Sequence, residues 1–580
     1  MTAGIKVLKF GGSVLRDERD LPVAVHEVYR YWRQGFQVLA VVSAFGGTTD
    51  ALLQRSRVFG ERPHAGALAG LLLTGEAASA ALLTMALDRS GVPAKLVSAT
   101  QAGLRTEGDP LDAEPVHVDA ERIRSELGNA VVVISGFGGI DAEGGPTLLG
   151  RGGSDYTALF LAERLGASCV LFKDVPGLFE FDPASGAGAP RRFESASYDT
   201  ALRLGGELVQ RKSIRFAAQH NLEIELSALG LSDSTKIENC PDRFAATEAR
   251  PRCVRVALLG CGTVGGGVFS RLIDMPEHFA ITGVANLDPS KAIKAGVPES
   301  LVSRDPVELI KRDCDVVVEL IGGTSEAQTL IEHAIRRGRH VVSANKALLA
   351  EKENELRRAA WSNGVQLRFS AAVGGVIPAL ETAERLGRSE SLRSISGILN
   401  GTCNFICDQL AAGIGFEAAV KMAQRAGFAE ADPKLDLDGT DAAQKLNLLA
   451  RSAFGIDLPL SAIDRKGIES LDAVRIEQAG REGKAIKLVA DCRRTGAHFK
   501  ASVRPREIPS SHPFAKTAGA DNCIIFESQD GKTEILKGRG AGRFATTEAV
   551  IADLFDIRRS LDTKKAFVAA ANSKISEVRR

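Results

Sequence analysis

Short apolar runs rich in β-branched residues recur along the chain, and each is followed by a turn and then by a helical pattern. Six runs show this order most clearly: 37–47, 130–139, 169–177, 255–268, 314–323 and 340–346. Strand, glycine turn and helix in succession are typical of parallel sheets covered by helices. After about residue 385, longer helices accompany a further sheet around 393–400 and 485–508. The pattern predicts an α/β protein with mainly parallel sheets, followed by an α+β region.

A polar break in this rhythm divides the chain into two halves. Residues 236–253 are polar, carry two prolines and follow the last strand-like run of the first half, so they are expected to form an interdomain linker. A chain of 580 residues is too long for one hydrophobic core and suits three or four domains.

Composition excludes several classes of protein. Hydrophobic residues make up 44% of the chain, and 73 Lys and Arg residues balance 72 Asp and Glu residues, so no polybasic surface predicts binding to nucleic acid or to a membrane. The first residues have no signal-peptide pattern, and no apolar stretch of about 18 residues predicts a transmembrane helix. Nine scattered cysteines, an odd number, favour reduced thiols in a cytoplasm over a disulfide framework.

Two glycine-rich turns in the first half are suited to phosphate. In KFGGS (9–13), a lysine ends a strand-like run and two glycines follow, so an ammonium group and bare backbone amides can approach phosphate oxygens. In GRGGSD (150–155), the glycines precede a clear helix, so its amides and dipole face an anion beside Arg151. A purely structural Gly-Gly turn is the alternative for the first of them.

The first half resembles the catalytic domain of aspartate kinases, within the amino acid kinase superfamily, over about residues 4–240. The resemblance rests on KFGGS, VVSAFGGTTD, TGEAAS, GFGGID, LGRGGSDYTA and KDVPGLFEFDP, in this order. It implies a sandwich of helices around a mainly parallel sheet. It also implies that the γ-phosphate of ATP, bridged by Mg²⁺, is transferred to the β-carboxylate of L-aspartate.

The same resemblance implies roles for individual residues. Lys9 and Asp155 would be catalytic, Glu76 would hold the substrate ammonium and Arg151 a substrate carboxylate. Glu76 is expected at the start of a helical run, 71–83. The nucleotide would be bound by Lys9, Gly11, Gly12, Ser13, Gly153 and Asp174.

Three positions depart from the aspartate kinase pattern. Lys173 stands where Ser or Thr is usual, Ala184 replaces an arginine after DP, and Leu208 replaces a lysine. Lys173, Arg211 or Lys212 could supply the missing positive charge, and the sequence leaves all three open. We therefore expect weak ATP binding. The alternative is a kinase fold kept as a structural or oligomerising module.

The regulatory βαββαβ repeats that continue most aspartate kinases are not expected. Residues 240–253 leave no room for them, and none is recognised after the second half. Inhibition by lysine or threonine is accordingly not expected.

The second half opens with a stronger nucleotide signal. RVALLGCGTVGGGV is a strand, then the G-x-G-x-x-G turn of Gly260, Gly262 and Gly265, then a helix, which is the context in which this motif binds a dinucleotide. Asp288 ends the next strand-like run, where an acidic side chain accepts a hydrogen bond from a ribose hydroxyl. Its sequence neighbours include Lys291 but no arginine to hold a 2′-phosphate, which favours NAD over NADP.

Two lysines and an aspartate further on could supply a proton donor or a fixed cation where negative charge develops on a substrate oxygen. These are Lys346, Lys445 and Asp441, the last lying one helical turn before Lys445 in the favourable acidic-first order. Thr440 is expected to be the N-cap of that helix. For an isolated Asp–Lys pair at this spacing, a solvated surface pair is the alternative.

Almost the whole of 253–580 resembles homoserine dehydrogenase. The resemblance rests on VVSANKALLA, GGVIPAL, SGILNGTCNFI, AGFAEADPKLDLDGTDAAQKLNLLA and GRGAGRFATTEAV, in this order. It implies hydride transfer between NAD(P) and L-aspartate 4-semialdehyde, giving L-homoserine, with Lys346, Lys445 and Asp441 as catalytic residues. Substrate contacts are implied for Glu430 and Asp436, and cofactor contacts for Gly260, Gly262, Thr263, Val264, Gly265, Asp288, Asn345, Lys346 and Gly540.

A monovalent cation site of the homoserine dehydrogenase family is altered in this chain. Ser370 stands where glutamate is usual before AAVGG, and Val376 replaces a glycine. Val373 could still bind Na⁺ or K⁺ through its backbone carbonyl.

The two resemblances together predict a fused aspartate kinase and homoserine dehydrogenase. The expected parts are an aspartate-kinase-like domain at 1–240, a linker at 241–252, a Rossmann domain at 253–385, a catalytic and dimerisation domain at 386–545, and a segment, 546–580, packing back on the Rossmann domain. Expected ligands are L-aspartate, ATP, aspartate semialdehyde, homoserine and NAD(P). The expected assembly is a cytoplasmic homodimer or higher homo-oligomer. The alternatives are a homoserine dehydrogenase with a kinase-like domain that does not catalyse, and a pure scaffold protein.

Overall fold

The computed structural model describes residues 4–60, 63–185, 189–206, 208–245, 253–388, 392–430, 432–471, 473–496 and 498–578. The chain divides into two compact units. The N-terminal unit holds the described residues up to 245, apart from 90–92, and those from Arg558 on, whereas the C-terminal unit holds Ser90–Val92 and Cys253–Ile557. Each unit has its own hydrophobic core.

The N-terminal unit is built on a nine-stranded sheet with a smaller four-stranded sheet. Its strands are β1 (Ile5–Phe10), β2 (Gln37–Val42), β3 (Ala94–Val97), β4 (Arg105–Asp109), β5 (Asp112–His117), β6 (Val131–Ser135), β7 (Gly138–Ile140), β8 (Pro146–Leu148), β9 (Ser168–Lys173), β10 (Phe193–Ala196), β11 (Ile224–Ala228), β12 (Ser234–Ile237) and β13 (Arg243–Phe244). The large sheet has the order β13-β10-β12-β11-β9-β1-β2-β6-β3, and the small one β5-β4-β7-β8.

The large sheet is mainly parallel, as the sequence predicts. Antiparallel pairing joins only β11 to β12 and β10 to β13. The central strands β1, β2, β6 and β9 are buried along almost their whole length. Such apolar, β-branched strands need cover on both faces, and helices supply it. The helices are α1 (Leu21–Arg33), α2 (Thr48–Ser56), α3 (Ala65–Ser90), α4 (Ala120–Leu127), α5 (Gly153–Leu165), α6 (Tyr198–Leu204) and α7 (Arg211–Gln219).

The helix α3 differs from the sequence expectation. Within the described part of the chain, α3 is the one helix that is both long enough and apolar enough to cross a membrane, judged by length and composition alone. The sequence reading overlooked it because glycine, threonine and serine interrupt its leucine- and alanine-rich run. Core helices of globular domains satisfy the same two criteria, and α3 carries the polar Glu76 and Ser79 on its buried side.

Part of the expected linker is structured. Arg243–Phe244 forms β13, which pairs with β10 at the edge of the large sheet, so the N-terminal unit extends past residue 240. Residues 246–252 lie outside the described part of the chain.

The C-terminal unit contains two six-stranded sheets. Its strands are β14 (Val254–Leu259), β15 (Phe279–Ala285), β16 (Val302–Ser303), β17 (Val316–Glu319), β18 (His340–Ser343), β19 (Leu367–Arg368), β20 (Leu392–Ile398), β21 (Asp464–Arg465), β22 (Lys484–Thr495), β23 (His498–Pro509), β24 (Asp521–Ser528) and β25 (Thr533–Arg539). The first sheet, β16-β15-β14-β17-β18-β19, is parallel throughout. The second, β21-β23-β22-β20-β24-β25, is mainly antiparallel.

Helices cover both sheets of this unit. They are α8 (Thr263–Ile273), α9 (Pro289–Lys294), α10 (Pro306–Lys311), α11 (Ser325–Arg336), α12 (Lys346–Ser362), α13 (Ala379–Gly387), α14 (Gly401–Ala411), α15 (Phe416–Arg425), α16 (Lys434–Leu437), α17 (Thr440–Phe454), α18 (Ala473–Arg481) and α19 (Arg543–Val578). The first turns of α19 pack on the parallel sheet, where Phe555 stacks edge-on against Phe279 at 4.9 Å and Glu548 pairs with Arg271 at 3.0 Å. The predicted α/β class, with a Rossmann-like sheet and an α+β region after it, is confirmed.

Candidate active sites

Two lysines converge on one aspartate at the carboxyl edge of the large sheet in the N-terminal unit. Lys9 lies near the end of β1, Lys173 ends β9, and Asp155 lies in the first turn of α5. Lys9 Nζ is 2.6 Å from Asp155 Oδ1, and Lys173 Nζ is 2.8 Å from Asp155 Oδ2. All three residues are more than nine-tenths buried.

The register of the sheet explains why the two lysines meet. β1 and β9 are parallel neighbours, with Lys9 opposite Leu171. Side chains two residues apart on a strand point to the same face, so Lys173 emerges on the face that carries Lys9. Gly152 adopts a left-handed conformation (φ +76°) just before α5, and this turn brings Asp155 over the two strand ends.

This cluster carries excess positive charge in a buried position. Burial opposes the ionisation of Asp155, but Lys9 and Lys173 outweigh it and lower the pKa of that carboxyl. Burial lowers the pKa of Lys173, against the attraction of Asp155. With Asp155 ionised, two ammonium groups share one carboxylate, so positive charge remains available to an anion.

Glu76 adds a buried acid beside this cluster. Burial raises the pKa of Glu76 to about 8, although hydrogen bonds from Ala44 N and Ser154 and the charge of Lys9 favour the ionised form. Within the described residues, Glu76 Oε2 has no hydrogen-bond partner. The expected position of Glu76 at the start of a helical run is wrong, because α3 begins eleven residues earlier, at Ala65.

The glycine turn after β1 leaves little space for side chains. A Cβ at Gly11 would lie 2.8 Å from Lys9 Nζ, and a Cβ at Gly12 would lie 3.1 Å from Ala44 O. Glycine therefore lets the backbone approach the cluster closely. Gly153 begins α5, and the remaining predicted residues, Ser13, Arg151 and Asp174, are exposed rather than part of the buried cluster.

The structure distinguishes the three cations that the sequence left open. Lys173 lies in the cluster. Lys212 Nζ instead contacts Asp112 at 3.1 Å and Glu114 at 3.0 Å on the β4–β5 hairpin. Arg211 is exposed, and Leu208, in the position of the usual lysine, is half-buried.

In the C-terminal unit, a cleft of about 270 Å³ opens at the carboxyl edge of the parallel sheet. The turn between β14 and α8 requires glycine, because Gly260 has φ +98° and a Cβ at Gly265 would lie 2.2 Å from Gly260 O. Around Gly262 a Cβ would meet open space. Thr263 and Val264 begin α8, so this open space faces the helix N-terminus, where a pyrophosphate fits.

The far end of the same cleft is lined by Asp288, Lys291 and Arg304. Asp288 Oδ1 accepts hydrogen bonds from the backbone N–H and the hydroxyl of Ser290, which lower the pKa of its carboxyl and leave Oδ2 for a ligand. Sequence reasoning missed Arg304. It follows the short strand β16, and only the pairing of β16 with β15 brings it into the cleft.

A second buried aspartate holds two lysines in the C-terminal unit. Lys346 Nζ is 2.9 Å from Asp441 Oδ1, and Lys445 Nζ is 2.8 Å from Asp441 Oδ2. Burial opposes the ionisation of Asp441, but the two lysines lower the pKa of its carboxyl well below the ordinary range. Lys445 is buried, whereas the Lys346 side chain is 41% exposed and Asp441 raises the pKa of its ammonium.

Helix geometry places Asp441 and Lys445 on one face of α17, at i and i+4. The expected N-cap at Thr440 is wrong. Thr440 is the first helical residue, and Gly439 occupies the cap position with φ +82°. A left-handed conformation favours glycine, which is why the helix begins there.

Backbone and side-chain contacts fix the ammonium of Lys445. It donates a hydrogen bond to Leu399 O at 2.8 Å, in addition to its contact with Asp441. Asn522 Nδ2 donates to the same carbonyl at 3.1 Å. A Cβ at Gly540 would lie 1.9 Å from Asn522 Nδ2, so glycine is required for Asn522 to reach this position.

The Lys346 end of the site is positioned by the cap of α12. Asn345 Oδ1 accepts from Leu348 N at 3.2 Å, and Asn345 Nδ2 donates to Gly323 O at 2.6 Å. This cap makes Lys346 the first residue of α12 and directs it towards Asp441. The predicted Asn345 therefore positions Lys346 through the helix start.

Asn400 is a second residue that sequence reasoning missed. Its amide donates to Asp436 Oδ1 at 2.7 Å and to Asp441 Oδ2 at 2.8 Å, so it bridges the two carboxylates. Burial and the charge of Asp441 raise the pKa of Asp436. Glu430 is exposed and near enough to Lys346 to act on its pKa. The signal for Asn400 was the ILNGTCNFI element, which was used only as a family marker.

At the altered cation position, the backbone and side chain of Ser370 form hydrogen bonds with two carboxylates. Ser370 Oγ lies 2.7 Å from both Asp553 Oδ1 and Glu381 Oε1, and Ser370 N donates to Asp553 Oδ2 at 2.9 Å. Val373 and Val376, which follow Ser370 closely in the sequence, are both buried. Nothing tests the predicted carbonyl ligand at Val373, which stays a prediction.

The fold and the site of the C-terminal unit define an enzyme class: a nicotinamide-dinucleotide-binding enzyme with a buried lysine–aspartate cluster. Two family models agree with this class over the second half of the chain, and a third matches the first half. They match homoserine dehydrogenase at 378–555, the homoserine dehydrogenase NAD-binding domain at 260–370, and the amino acid kinase family at 4–224.

Individual relatives cover the second half of the chain. It is 38% identical over 323 residues to homoserine dehydrogenase of Neisseria gonorrhoeae, covering 54% of this chain and 74% of that protein. It is 37% identical over 322 residues to the Corynebacterium glutamicum enzyme, covering 53% and 72%. A crystal structure of homoserine dehydrogenase from Thiobacillus denitrificans matches with a TM-score of 0.52 and 35% identity, over 54% of this chain and 75% of that one.

The chain belongs to the homoserine dehydrogenase family and carries an amino acid kinase domain in the same polypeptide. The fusion of a kinase with an NAD(P)-binding dehydrogenase that the sequence predicts is therefore confirmed.

Proposed function

We propose that the C-terminal unit interconverts L-aspartate 4-semialdehyde and L-homoserine, and that Lys445 and Lys346 meet the charge that develops on the aldehyde oxygen. The observation that carries this proposal is the Lys346–Asp441–Lys445 cluster. When bound, the nicotinamide dinucleotide supplies the hydride. Two of the three N–H groups of Lys445 contact Asp441 and Leu399 O, so the third can give a proton to the substrate oxygen.

Acidic groups beside this cluster suit the amino acid part of the substrate. We assign the ammonium group to Glu430 and Asp436, both of which lie close enough to Lys346 to act on its pKa. Asn400 holds Asp436 away from Asp441, so that the substrate ammonium can approach one carboxylate while Asp441 stays committed to the lysines. Steady-state oxidation of NADH or NADPH by L-aspartate 4-semialdehyde tests this activity directly.

We expect NADH to be preferred over NADPH. The exposed, ionised Asp288 would accept a hydrogen bond from the ribose of NADH and repel the 2′-phosphate of NADPH. Replacing Asp288 by Ser together with Leu287 by Arg removes the repulsion and adds a phosphate partner, so the preference should move towards NADPH. The measurement is kcat/KM with each cofactor for both proteins.

Arg304 provides the control for this comparison. It lines the same cleft as Asp288, so Arg304→Ala should lower kcat/KM for NADPH more than for NADH. A wild-type protein that clearly prefers NADPH would contradict the role of Asp288 and identify Lys291 or Arg304 as the phosphate partner.

For the N-terminal unit we propose transfer of the γ-phosphoryl group of ATP to the β-carboxylate of L-aspartate. The buried ammonium group of Lys9 supports this, because a fixed cation suits a group whose negative charge is spread over three oxygens. Glu76 would bind the substrate ammonium and the exposed Arg151 a carboxylate. In the described residues no group of three or more His, Cys, Asp or Glu side chains could hold a metal. Mg²⁺ would accompany the phosphates of ATP, as the resemblance to aspartate kinases implies.

Trapping the product with hydroxylamine tests the kinase. An aspartyl phosphate yields a hydroxamate, and its formation should depend on both ATP and L-aspartate. A chain that reduces the semialdehyde but forms no hydroxamate would favour the alternative, a dehydrogenase with a kinase-shaped companion domain.

Binding of L-aspartate is expected to weaken as the pH falls below 8. Burial raises the pKa of Glu76 to about 8, so the empty site holds a neutral acid below that pH, whereas the ammonium needs a carboxylate. Each pH unit below 8 should therefore raise the KM for L-aspartate by up to about tenfold. The measurement is KM for L-aspartate from about pH 6 to pH 9.

Glu76→Gln supplies the matched control. It keeps the shape but cannot ionise, so KM should be higher and nearly independent of pH. An equally steep pH profile in the variant would assign the titration to another group.

Oligomeric state and location complete the proposal. We propose a homodimer or higher homo-oligomer in the cytoplasm. All nine cysteines are free, and seven of them are buried, which suits a reducing compartment. Light scattering on the purified chain would measure the assembly.

A further inference from the structure

Lys173 occupies a position that the kinase reaction can use. It is 7% exposed, ends β9 on the same face as Lys9, and lies one residue beyond the pair Phe10 and Phe172 in the β1–β9 register, so it stands beside the Gly11 turn. Its Nζ contacts one oxygen of Asp155 while Lys9 Nζ contacts the other. An ammonium group has three N–H donors, so each lysine keeps donors for a ligand between them.

A role confined to neutralising Asp155 does not account for two lysines. One ammonium group already balances the charge of one carboxylate, and Lys9 supplies it at 2.6 Å. A second buried lysine adds a charge that Asp155 does not balance, which is costly unless a further anion pairs with it. The nearby turn, where a Cβ at Gly11 would lie 2.8 Å from Lys9 Nζ, leaves backbone rather than side chains at this place.

No other cation of the three open candidates reaches this cluster. Lys212 is bound to Asp112 and Glu114, and Arg211 is exposed. Leu208, where the aspartate kinase pattern has a lysine, is apolar. The N-terminal unit therefore lacks the usual lysine at position 208 and has an additional lysine at position 173.

We propose that Lys173 is a catalytic residue of the kinase, contacting the phosphoryl group together with Lys9 as it moves from ATP to the acceptor. This inference rests on the kinase function proposed above. In the step, a carboxylate oxygen of the acceptor forms the new P–O bond, and the bond between the γ-phosphorus and the bridging oxygen of ADP breaks. ADP leaves with that electron pair, and no proton needs to be transferred. Lys9 and Lys173 meet the charge on the equatorial oxygens of the moving group.

The test is Lys173→Met, which keeps the length of the side chain and removes its charge. We expect hydroxamate formation to fall by about 10²-fold or more in kcat. Oxidation of NADH by the same polypeptide should be unchanged and reports that the chain is intact. Lys212→Met, a matched loss of one lysine in the same unit, should leave hydroxamate formation within about twofold.

Nucleotide binding separates a contact with the phosphoryl group from a structural role. By calorimetry with Mg²⁺ present, Lys173→Met should weaken binding of AMP-PNP, which has a γ-phosphate, by about tenfold or more, and binding of ADP much less. Lys173→Arg should restore part of the AMP-PNP affinity. Equal weakening of both nucleotides, or no weakening of either, would overturn the inference.

The outcomes for the two proposals are distinguishable. A wild type that forms hydroxamate, with a Lys173→Met variant that forms it equally fast, overturns the role of Lys173 alone. If the AMP-PNP affinity of the wild type depends on Lys173 but no hydroxamate forms, the kinase function is overturned and the contact of Lys173 with the phosphoryl group stands. A wild type that binds neither nucleotide at millimolar concentration and forms no hydroxamate overturns both.

Discussion

Replacing Lys445 by alanine is expected to lower the turnover of the dehydrogenase by about 10²-fold or more, because it removes the group that meets the developing charge. Lys445 is held by Asp441 and Leu399 O, so its remaining N–H group has a fixed direction that alanine does not replace. Lys346→Ala should have an effect of similar size, since Lys346 is the other ammonium group on Asp441. The measurement is kcat for semialdehyde reduction at saturating cofactor.

Cofactor binding provides the internal control, because neither lysine lines the glycine turn of the cleft. The Kd for NADH should change little in Lys445→Ala, which is the cleaner variant for this control because Lys346 is also an implied cofactor contact. Lys352→Ala, on the same helix as Lys346 but in a surface pair with Glu355, should turn over normally. Near-normal turnover in both Lys445→Ala and Lys346→Ala would show that another group protonates the substrate.

The two candidate active sites share one electrostatic arrangement. In each, one fully buried aspartate holds two lysines from different elements: Lys9 and Lys173 on Asp155, Lys346 and Lys445 on Asp441. In each site two lysines share one carboxylate, so the second lysine leaves positive charge over for the substrate. Both proposed reactions place negative charge on oxygen, which explains why one arrangement suits both.

Local features of these sites could be predicted from the sequence. Asp441 and Lys445 are one helical turn apart, and Gly260, Gly262 and Gly265 stand between a clear strand and a clear helix, so short-range geometry decides their positions. The mainly parallel sheets followed from the recurring order of strand, turn and helix. Such signals depend only on neighbours along the chain.

Long-range features could not be predicted. The meeting of Lys9 with Lys173 depends on the register of β1 and β9, and the entry of Arg304 into the cleft depends on the pairing of β16. Glu76 was placed wrongly because Gly66 and Gly70 weaken the helical pattern at the start of α3. The ILNGTCNFI element marked Asn400 but not its role, which exists only once Asp436 and Asp441 are folded beside it.

Kinase activity is expected to be present, to require Lys9, and to need an unusually high concentration of ATP. The transfer side of the site is complete, with Lys9, Lys173, Asp155 and Glu76 all buried together. On the nucleotide side, Leu208 and Ala184 stand where the aspartate kinase pattern has a lysine and an arginine. Losing two charge-assisted contacts with phosphate would cost roughly 2–4 kcal/mol, or about 10²- to 10³-fold in affinity, where nothing compensates.

The expected result is hydroxamate formation that still rises with ATP above about 1 mM, the upper end of ordinary KM values. Lys9→Ala should lower its kcat by about 10³-fold, because it removes a buried cation from the moving phosphoryl group and leaves Asp155 with one lysine. Lys6→Ala, on the same strand but paired with Glu225, is the matched control and should retain activity. Saturation by micromolar ATP would mean that other groups replace the charges missing at positions 208 and 184. A wild type no more active than Lys9→Ala at any ATP concentration would mean that the first glycine turn no longer serves catalysis.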